Sequence, residues 1–165
     1  MQNRPPLMQV LKNPGFLNLW INQILVQLSY NGLNFTLIFW VFKLTDSNAA
    51  ISALMFSIYL PAVILGLFSG ILVDLLDKKK IIMIIDILLS LSFFSLIFLK
   101  DFYLAIILVA FFVNGLGQFY APTEASAIPL IVKRKELLVA NSIFSATLYT
   151  TFLLGFGLSG ILIGN

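Results

Sequence analysis

The chain has 165 residues, 60% of them hydrophobic and only 10% charged, with a mean hydropathy of +1.02. A soluble domain carries about 25% charged residues and could not hide this much apolar surface, so lipid must be part of its solvent. There is no His and no Cys, which removes His general bases, His or Cys metal sites, thiol nucleophiles and disulfides. The net charge of +3 is no nucleic-acid signature, because the basic residues fall in short segments between apolar runs.

The opening "MQNRPPLMQVLKNPGF" does not read as a cleavable signal: two prolines and Asn13-Pro14 precede the first apolar run, and no small-residue cleavage site follows it. A bilayer core of about 30 Å requires roughly 20 apolar residues in helix. Five segments meet that length: residues 16–42, entered after the helix-start signal Asn13-Pro14, then 49–73, 81–99, 102–121 and 140–164. Nothing alternates at period two, which excludes a membrane β-barrel. The expected fold is therefore an all-α polytopic membrane protein with five transmembrane helices.

The first span carries Gln23, Gln27, Tyr30 and Asn34, with Asn31 beside them. At 100° per residue the four fall on one narrow face and extend about 16 Å along it. Such a stripe at bilayer depth must face protein or water. It serves either as interhelical glue, at about 0.6 kcal/mol per contact, or as one wall of a water-filled substrate path. The length of the stripe favours the path. The second span is expected to kink at Pro61 and carries the small-residue pair Gly66 and Gly70. The fourth repeats the polar pattern with Asn114 and Gln118, again four apart. The fifth holds Gly155, Gly157, Ser159, Gly160 and Gly164, which suit close helix approach. "LGLFSGIL" in the second span and "LGFGLSGIL" in the fifth suggest a three-helix repeat, with the first span over the fourth.

Charge sets the orientation. Arg4, Lys12, Lys78, Lys79, Lys80, Lys133, Arg134 and Lys135 fall on one side of the membrane, against Lys43 and Lys100 on the other. The asymmetry predicts a cytoplasmic N-terminus. Two acids remain as candidate coupling groups, Asp86 in the third span and Glu124 where the fourth is expected to leave the membrane. The plainer reading pairs each with a lysine or a helix N-terminus. In "GILVDLLDKKK" the lysines anchor the loop, but Asp74 at a helix C-terminus opposes the helix dipole and calls for a partner elsewhere.

These residues resemble a known family. "GILVDLLDKKK", at 70–80, is similar to the loop signature between the second and third helices of the major facilitator superfamily, closest to its drug, macrolide and siderophore exporters. "FLNLWINQILVQLSYNGLNFTLIFWVFKLTDSNAAISAL" resembles the opening of that branch, and "APTEASAIPLIVKRKELLVANSI", at 121–143, its helix 4–5 segment. The resemblance implies five helices of the N-terminal six-helix bundle of a rocker-switch exporter, in which the first and fourth line a central cavity. It implies that Gly70 allows close packing. It also implies that Asp74, with Asp77 and Lys78 to Lys80, forms a cytoplasmic gate motif. Leu75 departs from that signature, which usually has Arg there, and no arginine stands near Asn114. A complete member has twelve helices, so a missing C-terminal half or partner chain is expected.

The expected function is part of a secondary transporter in the cell membrane, exporting small amphipathic molecules by alternating access, without metal or cofactor. The alternative is a small membrane scaffold or assembly subunit whose glycine faces pack on a partner. An enzyme has little chemistry available here.

Overall fold

The computed structural model describes residues 6–163, with side chains given for 7–155. Helix α1 (Pro6–Leu11) is short, and five long helices follow: α2 (Pro14–Thr45), α3 (Asn48–Leu75), α4 (Lys78–Leu99), α5 (Tyr103–Ile131) and α6 (Leu137–Ile163). A 3-10 turn, Arg134–Glu136, joins the last two. Five helices among the described residues are long and apolar enough to cross a membrane, and the protein is a multi-pass integral membrane protein. Gly164 and Arg4 lie outside the described residues.

The helix boundaries have local chemical causes. Asn13 is the cap of α2: its Oδ1 accepts from the backbone N–H of Gly15 at 3.0 Å and of Phe16 at 3.3 Å, with Pro14 at the first helical position. At the far end of α2, Asp46 adopts a left-handed φ of 47°, the usual stop conformation of a helix. Ser47 then caps α3 by accepting from Ala50 N–H. Asp77 caps α4, its carboxylate accepting from Lys80 N–H at 3.0 Å. That cap starts α4 at Lys78 rather than at residue 81, because an Asp before the lysines satisfies a backbone donor that would otherwise be bare.

Helix α5 differs most from expectation. It continues past Ala121, through Pro122 and Pro129, to Ile131. The residue before a proline is biased away from helix, and a proline leaves one carbonyl in the preceding turn without its amide donor. Membrane helices tolerate this where side chains and neighbours satisfy the local backbone. The carbonyl that Pro122 leaves without a donor is that of Gln118; the Thr123 hydroxyl donates one residue further on, to the Phe119 carbonyl. Pro61 likewise lies inside α3, buried, without ending it.

The chain divides into two compact units. One runs from Leu33 to Thr123. Its apolar core gathers Leu37 and Val41 of α2, Ala50, Leu54 and Ile58 of α3, and Ile106 and Ala110 of α5. Ser57 donates to the Ile107 carbonyl at 2.8 Å, and Trp40 Nε1 to the Lys100 carbonyl at 2.9 Å. On the outward face of α3, Val63, Leu67, Ile71 and Leu75 are exposed, which is unremarkable where the solvent is hydrocarbon.

The other unit comprises the residues up to Gly32 and those from Glu124 onward. Phe16 is fully buried here, stacked on Trp20 and edge-on to Phe144 at 5.5 Å between ring centroids. Trp20 Nε1 donates to Thr147 Oγ1 at 2.7 Å, tying α2 to α6. The Asn13 amide donates to the Ile131 carbonyl at 2.8 Å, so the cap of α2 also closes the C-terminus of α5.

Candidate functional site

The amides of the polar stripe fall in both units. In the unit from Leu33 to Thr123, Asn34 and Asn114 form a reciprocal pair. Asn114 Nδ2 donates to Asn34 Oδ1 at 3.0 Å, and Asn34 Nδ2 to Asn114 Oδ1 at 3.3 Å. Asn114 also donates to the Ala110 carbonyl at 2.8 Å and is 2% exposed. Gln118, one turn on, is half-buried, and its Nε2 reaches back to the Asn114 carbonyl. Two facing carboxamides each offer a donor and an acceptor, so the pair satisfies both partners without charge. It joins α2 to α5 at a depth where an unmatched polar group is costly. Nearby, Gly115 packs against α3: a Cβ there would lie 3.6 Å from Leu65.

In the other unit, Gln23 is 2% exposed. Its Nε2 donates to the Phe144 carbonyl at 3.3 Å, while its Oε1 is buried and accepts no hydrogen bond among the described residues. Gln27 and Tyr30 are half-buried and Asn31 is buried. Asn31 sits where α6 approaches most closely: a Cβ added to Gly155 would lie 2.7 Å from Asn31 Cβ and 3.3 Å from Gly32 N. Only glycine fits that approach. Gly157 shows no such constraint. Glu124 is a further buried polar residue, 4% exposed, on α5.

The charged stretch between α3 and α4 makes local contacts within this chain. Asp77 is the cap described above. Lys78 folds back, its Nζ donating to the carbonyls of Asp74 at 2.9 Å and Leu76 at 3.0 Å. A cation there satisfies bare carbonyls and complements the negative end of α3. The carboxylate-bearing Asp74 is exposed, as are Lys79 and Lys80. A Cβ at Gly70 would meet nothing within 4 Å among the described residues. Asp86 is half-buried on α4, in the same unit as Asp74.

Three ties went unread in the sequence: Asn13 to Ile131, Trp20 to Thr147 and Trp40 to Lys100. Only the first left a local trace, in the Asn-Pro start of α2. The others pair residues 127 and 60 positions apart, which no periodicity encodes.

Among curated proteins the chain is similar to macrolide efflux protein A of Streptococcus pyogenes, 25% identical over 127 residues. The match covers 74% of this chain and 31% of that protein. The protein of the same name from Streptococcus pyogenes serotype M6 (strain ATCC BAA-946 / MGAS10394) matches to the same extent. The chain thus spans about a third of the length of the curated relatives it matches. No solved structure gives a significant match. The family model described as Major Facilitator Superfamily matches residues 19–165. Because that match begins in the second turn of α2 and takes in every later span, the chain belongs to the major facilitator superfamily.

Proposed function

We propose that the chain forms the N-terminal part of a secondary active transporter that exports small amphipathic molecules, macrolides among them, by alternating access. The observation that carries this reading is the run of polar groups along one face of α2, within a member of a transporter family whose matched relatives are macrolide efflux proteins. A substrate with hydroxyls needs acceptors at membrane depth. Gln23 Oε1, buried and accepting nothing from the described residues, is an acceptor of that kind. In this proposal Gln23, Gln27, Tyr30, Asn31, Asn34 and Gln118 meet substrate or cavity water, with the Asn34–Asn114 pair holding the wall in place. The N-terminus and the lysine-rich loops face the cytoplasm, where Asp74 and its neighbours gate the pathway. Helices beyond these five, from a C-terminal half or a partner chain, supply the opposite wall.

The test is flux of a labelled macrolide into inverted vesicles carrying the native gene product. Gln27→Leu combined with Asn34→Leu is expected to abolish uptake while leaving membrane insertion intact. Uptake that persists in the double variant overturns the cavity role. A native protein without flux that co-purifies with a larger membrane complex favours a scaffold instead.

A further inference from the structure

Two depressions flank the short helix α1, both within the unit that includes the chain up to Gly32 and from Glu124 onward. One, of about 400 Å³, is lined by Gln9, Lys12, Asn13, Lys133 and Glu136. Its two lysines are exposed, and Arg134 and Lys135 stand exposed beside it in sequence. Glu136 is buried and its carboxylate accepts from the backbone N–H of Lys133, holding the turn; its single negative charge is outnumbered by Lys12, Lys133, Arg134 and Lys135. The other depression, of about 520 Å³, is a trough between α2 and α6 lined by Leu7, Leu11, Trp20, Ile24, Leu28 and Ile143. Threonines 147, 150 and 151 also border it, but their hydroxyls donate to helix carbonyls of Ile143, Ala146 and Thr147. The Trp20 N–H is likewise committed to Thr147. The trough therefore offers apolar surface to a guest and little else.

The lysines lie just outside α2 and α5, at the level where headgroups meet water, and the trough runs from Trp20 to Leu28 down α2. From the start of α2 to Leu28 is about 20 Å of helix, the reach of a fatty chain into one leaflet. A cationic seat and an uncharged trough, lined by the sequence neighbours Lys12 and Leu11 respectively, match one ligand chemistry. We infer that this chain holds an anionic phospholipid, its phosphate at Lys12 and Lys133 and an acyl chain in the trough beside Trp20. Basic pockets between membrane helices bind acidic headgroups by this combination of charge and shape. The site is separate from the amide stripe, and it stands whether or not the transport reading does.

Trp20 supplies the readout, because the chain holds only two tryptophans. The Trp40→Phe protein is reconstituted in phosphatidylcholine bilayers, and brominated phosphatidylglycerol or brominated phosphatidylcholine is titrated in. Brominated phosphatidylglycerol is expected to quench Trp20 at about a thirtyfold lower mole fraction, the preference two lysines give an anionic headgroup. Lys12→Gln with Lys133→Gln should remove the preference, and Lys12→Arg with Lys133→Arg should keep it. Equal quenching by the two lipids overturns the inference, as does a preference that survives the glutamine pair. Loss of the preference in Lys79→Gln with Lys80→Gln would assign it to diffuse surface charge and also overturn the site. So would inorganic phosphate that competes away the quenching, which would mark a soluble-anion pocket.

Discussion

Gly155 occupies a tighter approach than Gly15, Gly66 or Gly115, and the atoms it would strike are the Cβ of Asn31 and the backbone of Gly32 rather than a flexible tip. A methyl group cannot be absorbed there by rotating a side chain. Gly155→Ala is therefore expected to destabilise the protein by about 1–3 kcal/mol, the usual cost of overpacking. Gly157→Ala, two residues away with nothing within 4 Å, should be neutral or up to about 1 kcal/mol stabilising through helix propensity. Thermal unfolding of the two variants in detergent separates them, and equal midpoints would refute the close-approach argument. The sequence shows both glycines alike; only the crossing point distinguishes them. The amides behave the same way. Spacing put Gln23 and Asn34 on one face, but it could not tell that Asn34 meets Asn114 while Gln23 keeps a bare oxygen.

Helix starts were more legible than helix ends. Asn13-Pro14 announces α2 because the cap and the proline act on neighbouring backbone. The end of α5 was hidden, because Pro122 is a strong local breaker and what overrides it is membrane context. The resemblance counts Asp77 in the gate motif, and its geometry also caps the helix that follows. Asn13 offers the sharpest test at this scale, since one side chain caps α2 and ties down the last carbonyl of α5. Asn13→Ala is expected to cost about 1–3 kcal/mol, the sum of a cap and a hydrogen bond. Asn13→Asp keeps the acceptor but lacks the donor for Ile131, so it should recover only the capping share. Full recovery by Asp in a thermal unfolding experiment would show that the tie to α5 contributes nothing.

For the whole molecule, the number of spans followed from apolar length alone, because a bilayer fixes how many residues a crossing needs. Which unit each helix segment joins did not follow, since α2 and α5 both change unit partway along without any break in pattern. The proposed orientation is directly accessible because the chain has no cysteine to interfere. Asn48→Cys, at the first residue of α3, should react with an impermeant maleimide in intact cells. Lys79→Cys, in the first turn of α4, should react only in inverted vesicles. The reverse pattern would place the N-terminus outside and remove the cytoplasmic gate from the proposal.

The paired carboxamides of Asn34 and Asn114 neither gain nor lose a proton between acid and neutral conditions. Their grip is therefore the same whichever compartment is the more acidic. A membrane carrying a pH gradient cannot loosen this joint by titrating it. In the proposed transport cycle, energy from such a gradient would have to enter at other residues and act on this joint mechanically.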